Sequence, residues 1–444
     1  MCIFAVPLCG KLPSRAVLST MQKEIGFIRE HSGADTTRLL LSRSRWPEVD
    51  MDLVVNTIEG RSRMAAKVPQ WAGRDDLLYP TRLCTEQCSS SDTASYKAGV
   101  LKRLGAKRVA DLTGGLGVDS WFFSSVADEV LYNEMNPDLA AAAGHNFSVL
   151  GAARDGARIT VESLELRQDT IDSVLGGFNP DCIFLDPARR DSAGRKVFRI
   201  EDCTPDIMLL KDELLKRARL LVVKLSPMAD ISLIVSALGN VSEVHCVSSG
   251  GECKELLAVM DREVPSGISP AIIVADREGE VMRFRREDEM LAPLVLADTA
   301  AQGGILFEPS KAVAKAGCFK LLCPQYGLLK IGRNTHLYLL PDVGEQEGLG
   351  ESLSPLRRLG KLFRIIETVP LNNRTAREAG RKWAGADLTA RNLPMDTDTL
   401  SKKMGLGRQT QPAGAARPPH IFGVRADFPS SEKPANYLII TTPL

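Results

Sequence analysis

The chain has 444 residues, 44% of them hydrophobic and 5% aromatic, with 56 Lys and Arg against 55 Asp and Glu. That length and balance fit a globular protein of two to four domains and exclude disordered, collagenous and disulfide-stapled classes. No apolar run approaches the roughly 20 residues that cross a bilayer; the apolar stretch from Met1 to Cys9 lacks the positive leader of a secretory signal, so a cytoplasmic location is expected.

From Ser19 to Arg63 leucines and isoleucines recur three or four apart among charges, which predicts helices. A break follows at 69–80, and the serine cluster between Glu86 and Gly99 is suited to cap a helix reaching Leu104. Residues 1–96 are therefore expected to form a helical region. Between Lys107 and Arg262 short apolar runs alternate with helical stretches, the pattern of a parallel sheet covered by helices. Strands are predicted at 108–111, 129–134, 157–161, 181–186, 220–224, 241–247 and 255–260, the last two joined by Gly250-Gly251 as an antiparallel edge hairpin. Beyond Pro265 the units shorten, and two small α+β modules are expected at 268–342 and 355–444, the second interrupted by a Gly/Pro-rich loop from Gly405 to Pro419.

Ten cysteines contain no Cys-x-x-Cys pair and five histidines no His-x-x-x-His, so no metal is expected and most thiols should be buried and reduced. Residues 351–444 carry 15 Lys and Arg but 8 Asp and Glu, a net +7, leaving about −6 for the rest. Local positive charge of this kind favours an anionic partner.

The segment Asp111-Leu112-Thr113-Gly114-Gly115-Leu116-Gly117 lies between a predicted strand and helix, where glycines let the backbone turn tightly and approach a ligand. Gly115 and Gly117 are the candidates for that approach, against a plain turn that binds nothing. In an open α/β sheet ligands sit outside the carboxyl ends of the strands. Glu134 closes the second strand, where a carboxylate can accept both hydroxyls of a ribose, and Glu162 closes the third at a position suited to an adenine amine. Asp186-Pro187-Ala188-Arg189-Arg190 closes the fourth, and Lys224 the fifth, where it can meet substrate or simply pair with Asp186. A dinucleotide reading is weakened because Ser120 stands where Gly-x-Gly-x-x-Gly needs its third glycine. Cys253 is a candidate thiolate for a covalent pyrimidine mechanism, without the usual flanking signature.

The Asp-x-x-x-Gly-x-Gly turn, Glu134 and Asp186-Pro187, in that order, resemble the class I S-adenosylmethionine-dependent methyltransferases over residues 97–265. The resemblance implies a Rossmann-like seven-stranded sheet, with Asp111 near the methionine moiety of S-adenosylmethionine, the glycines facing it and Glu134 on its ribose. Thr113 stands where the common turn has Gly. Asp186-Pro187-Ala188-Arg189 is similar to the Asp-Pro-Pro motifs of base-modifying members, in which the acid orients a substrate amine; Arg189 replaces the usual aromatic residue, and Arg190 is a candidate phosphate clamp.

A wider likeness takes in Glu86-Gln87-Cys88-Ser89-Ser90 with Tyr96-Lys97, Phe307-Glu308-Pro309-Ser310, and Arg391-Asn392-Leu393-Pro394 with Lys402-Lys403. These resemble the bacterial THUMP-like-domain-containing class I methyltransferases. That implies a ferredoxin-like module at 268–342 and a THUMP-like module at 355–444, with Arg391, Lys402 and Lys403 on an RNA backbone and Glu86, Gln87 and Ser89 folded against the cofactor crevice. The expected activity is transfer of a methyl group from S-adenosylmethionine to a base in RNA, of the rRNA or tRNA class, by a monomer or weak oligomer that needs no metal and no membrane. A methyltransferase acting on a protein or small molecule, and a non-catalytic RNA-binding scaffold, are the alternatives.

Overall fold

Two aspartates open the helical region: Asp35 accepts the backbone N–H groups of Thr37 and Arg38, and Asp50 that of Leu53, satisfying donors that a helix start otherwise leaves unpaired. In this computed structural model, which describes residues 15–188, 203–265, 267–340, 353–406, 418–429 and 433–444, α1 (Arg15–Glu30), α2 (Thr36–Leu41) and α3 (Met51–Lys67) enclose Ile28, Leu39, Val54 and Leu78. The same cluster takes in Ala142, so the helical region shares a core with the sheet domain. Buried Asn146 fixes the connecting segment, accepting from the Leu78 N–H and donating to the Leu78 carbonyl. Thr81 caps α4 (Arg82–Gln87) and Ser90 caps α5 (Ser91–Arg103).

Contacts divide the chain into two units: 1–249 with 254–270 and 276–279, and 250–253 with 271–275 and 280–444. The first is built on β1 (Arg108–Asp111), β2 (Glu129–Asn133), β3 (Arg158–Glu162), β4 (Cys182–Leu185), β5 (Leu220–Leu225), β6 (Val241–Ser249) and β7 (Glu252–Asp261). Every residue of β4 is buried, as expected of a parallel strand covered on both faces. Helices α6 (Val118–Phe123), α7 (Pro137–Leu150), α8 (Ile171–Leu175), α9 (Ile207–Arg217) and α10 (Ile231–Leu238) make the crossovers. Strands β1 to β5 pair in parallel, β7 runs antiparallel beside β5, and the order is β3-β2-β1-β4-β5-β7-β6. The order reverses beside β1, which opens a crevice at the carboxyl ends of β1 and β4.

The strand count of this sheet differs from the expectation. The sheet has nine strands rather than seven, because β8 (Ala271–Asp276) and β9 (Gly279–Phe284) continue it beyond β6; the β6–β7 hairpin is thus interior. A second sheet has seven strands, drawn from 305–340 and 360–443. It comprises β10 (Ile305–Pro309), β11 (Leu329–Gly332), β12 (Thr335–Leu340), β13 (Gly360–Pro370), β14 (Asp387–Arg391), β15 (His420–Ala426) and β16 (Ala435–Pro443), in the order β11-β12-β10-β13-β16-β15-β14. Its neighbouring strands pair antiparallel except β14 with β15, which run parallel.

Within the second unit lie α11 (Arg286–Leu291), α12 (Lys311–Ala316), α13 (Leu322–Tyr326), α14 (Ser354–Leu359), α15 (Asn373–Lys382) and α16 (Thr397–Met404). Leu306, Ile331, Leu337, Phe422 and Ile439 form one core cluster, and Ala376, Ala379, Leu400, Met404, Ile421 and Leu438 another. Helices α15 and α16 touch closely: a Cβ on Gly380 would lie 1.9 Å from the Met404 carbonyl oxygen. Among the described residues no helix is long and apolar enough to cross a membrane, and no group of three His, Cys, Asp or Glu is placed to hold a metal ion.

Candidate active site

The turn after β1 is shaped by both packing and backbone conformation. A Cβ on Gly114 would lie 2.2 Å from the Tyr132 ring, and one on Gly117 2.5 Å from Phe147. Gly115 differs: its φ of +54° is in the left-handed region and a Cβ there would meet nothing within 4 Å, so the chain runs past open space at this residue. Gly117, read as a residue of close ligand approach, thus has a packing reason to be glycine.

Asp111 sits beneath the turn, 1% exposed. Its carboxylate accepts Ser120 Oγ at 2.6 Å and the Thr113 N–H at 3.3 Å. Burial pushes its pKa up to about 7, the Ser120 hydrogen bond opposes the rise, and the nearby Asp119 and Asp186 charges add to it. Thr113, the departure from the usual glycine, bridges two strand ends: its hydroxyl oxygen accepts the Asp186 N–H at 2.6 Å.

Glu134 follows β2 directly. One carboxylate oxygen accepts the Gly115 N–H at 3.0 Å and the other the Asn136 N–H at 2.9 Å, so the acid ties the glycine turn to the start of α7. Each oxygen keeps a further acceptor site. Glu162 ends β3 opposite Asn133, and its carbonyl accepts the Glu134 N–H at 3.3 Å. Burial raises the Glu162 carboxyl above its ordinary range.

Asp186 follows β4, and its Oδ2 accepts from Lys224 Nζ at 2.6 Å. Lys224 lies on β5 with 15% of its side chain exposed and Glu255 of β7 at 3.9 Å. Burial lowers the basicity of its ammonium, but Asp186, Glu255 and Asp119 outweigh burial and raise it overall, so the ammonium keeps its proton. Behind it is a lysine that sequence reasoning missed as a site residue. Lys97 of α5, its side chain 1% exposed, is 3.0 Å from Asp119 and 3.2 Å from Glu255, and donates to Ser89 Oγ at 2.7 Å. Ser89 in turn donates to Asp119 at 2.8 Å. The sequence signals for Lys97 were its place beside Tyr96 in the wider family resemblance, which assigned it no role, and a lysine inside a helix with many small and apolar residues.

The segment 86–90 therefore reaches the site through Ser89, whose hydroxyl is committed to the charge network. Glu86 pairs instead with Arg82 of its own helix at 2.6 Å, and Gln87 is exposed. Lys67 of α3 holds this segment by donating to the carbonyls of Thr85, Glu86 and Cys88. Pro187 is buried, and Ala188 pairs with Thr204. Arg189 and Arg190 lie outside the described residues. Cys253 is the second residue of β7 and half-buried. In the second unit Arg391 is paired with Glu308 at 2.8 Å, while Lys402 and Lys403 occupy the last turn of α16, with Lys402 exposed.

Comparison with known proteins agrees with this architecture. A family model for a ferredoxin-like domain matches residues 306–343. No curated protein matches. Among solved structures, a protein of Porphyromonas gingivalis W83 assigned as a candidate methyltransferase is 27% identical, with a TM-score of 0.77 over 97% of this chain and 99% of that one. An rRNA methylase from Streptococcus thermophilus (11% identity, TM-score 0.27, 37% of this chain and 93% of that one) and an O-methyltransferase from Bacillus cereus crystallised with S-adenosylhomocysteine (11%, 0.30, 39% and 83%) match over shorter stretches. The chain is an α/β protein with a Rossmann-like sheet of the methyltransferase strand order and a ferredoxin-like domain, and it is similar over nearly its whole length to a candidate methyltransferase.

Proposed function

We propose that this protein is an S-adenosylmethionine-dependent methyltransferase acting on a nucleotide of RNA. The observation that carries the reading is the Gly115–Glu134 corner: an open-sided left-handed glycine whose N–H is held by an acid with acceptor capacity to spare, at the point where the strand order reverses. These residues fit S-adenosylmethionine, with Glu134 accepting from the ribose diol, Glu162 near the adenine and the Thr113–Gly115 backbone along the rest of the ligand. When bound there, the sulfonium supplies an activated methyl group. Asp111 and Thr113 act indirectly, the first bracing the turn and the second fixing the strand end that presents Asp186. An RNA partner is supported by the basic C-terminal region, with Lys402 and Lys403 as backbone contacts.

Calorimetry with S-adenosylmethionine, followed by filter binding of total RNA at two salt concentrations, tests the reading. Both ligands should bind, and RNA affinity should fall as salt rises. Binding of the sulfonium compound without RNA points to a protein or small-molecule acceptor; binding of RNA alone points to a scaffold.

A further inference from the structure

Asp186-Pro187 suggested an acid that orients a base amine, yet Lys224 holds that acid at 2.6 Å. An amine attacking a sulfonium methyl gains positive charge, and a fixed ammonium beside it opposes that change. A hydroxyl attacking the same methyl moves toward an oxyanion as it gives up its proton, and the ammonium stabilises that change. The surrounding residues keep the ammonium in place. Glu255 lies between Lys224 and Lys97, at 3.9 Å and 3.2 Å, and Asp119 neutralises Lys97 from the other side at 3.0 Å. Four elements, α5, the end of β4, β5 and β7, thus bring Lys97, Asp186, Lys224 and Glu255 together, the middle two toward the more open side.

We infer that the methyl acceptor is a ribose hydroxyl of RNA rather than a base, with Lys224 and Asp186 as the catalytic pair and Lys97 and Glu255 as positioning residues behind them. The inference rests on the RNA methyltransferase reading and names its acceptor. Within an RNA chain the 3′ and 5′ oxygens are esterified, so an internal nucleotide offers only its 2′-hydroxyl. The hydroxyl oxygen bonds to the methyl carbon as the carbon–sulfur bond breaks, and that electron pair stays on sulfur, which becomes neutral. The hydroxyl proton passes to the Asp186 carboxylate and then to water, while Lys224 keeps its own. Most of the acceleration then comes from alignment and from the charge beside the oxygen.

The test uses the full chain, S-adenosylmethionine with a deuterated methyl, and total RNA from the source organism lacking the gene. Labelled RNA is digested to nucleosides and fragmented in a mass spectrometer. The label should stay with the ribose, and the labelled linkage should resist alkali. Label on the base fragment overturns the acceptor while leaving RNA methylation standing; no label in RNA, with calorimetric binding of S-adenosylmethionine intact, overturns both. Lys224→Met should lower the transfer rate about 100-fold or more without changing calorimetric affinity for S-adenosylmethionine or filter binding of RNA, and Lys224→Arg should recover part of the loss. An undiminished rate in Lys224→Met also overturns the inference. Should that variant fail to fold, the label position in the wild-type protein decides alone.

Discussion

Lys97 in the first unit and Lys330 in the second are both drawn inside, 2% exposed each, but among different neighbours. Lys97 is ringed by Asp119, Glu255 and Ser89, with Lys224 and Asp186 beyond. Lys330 donates to the Arg333 carbonyl at 2.6 Å and lies 6.0 Å from the Phe319 ring, and burial lowers its basicity. The second arrangement is an amphipathic stem whose head finds a carbonyl. The first gathers desolvated charges of both signs, a costly grouping that gives weaker support to folding than apolar packing would. Its presence at the carboxyl ends of β4 and β5 is what supports the proposed catalytic site there.

The sharpest way to break this contrast is to remove each lysine in turn. Lys97→Met strands Asp119 and Glu255 and should cost about 3–5 kcal/mol in urea unfolding; Lys330→Met leaves only one carbonyl partner and should cost about 1 kcal/mol. Equal losses would erase the distinction. Next in size, Glu134→Ala should weaken S-adenosylmethionine binding about 100-fold by calorimetry while the apo protein stays folded with a somewhat lower melting temperature, since two backbone N–H groups lose their acceptor; unaltered affinity would mean that the second-strand acid does not hold the ribose.

Asp111 sharpens the comparison through pH. Its folded pKa of about 7 stands above the ordinary aspartate value of 3.8. Between those values the folded state binds the proton that the unfolded state has released, so stability falls as pH rises from about 4 to about 7, by at most about 1.4 kcal/mol per unit. Melting temperatures of the apo protein across that window should decline, and Asp111→Asn should flatten the decline. The smallest effect belongs to the second unit. Replacing Lys402 and Lys403 together by Ala should reduce the slope of log affinity against log salt by about 1 for each lysine that meets a phosphate, with S-adenosylmethionine binding untouched; an unchanged slope would remove these residues from the RNA surface.

Strands β1 to β7 were legible because each carries apolar residues between turn or helical segments, and boundaries shifted by only a few positions, as where β7 begins at Glu252 rather than Glu255. That the glycine turn, Glu134 and Asp186 follow β1, β2 and β4 was legible because each stands directly after an apolar run. The place of β8 and β9 was not, because alternation says that a segment is a strand without saying which strand it pairs with.

The amino-acid order by itself determined the alternating architecture, the glycine turn after the first strand and the concentration of positive charge near the C-terminus, since each is written in neighbouring residues. Only the tertiary structure decided that Asp186 is paired, that Thr113 holds the strand end beneath it, and that Lys97 belongs to the same network. Lys97 and Glu255 are 158 positions apart, and Coulomb attraction depends on distance in space and on desolvation, neither of which is set until the sheet has formed.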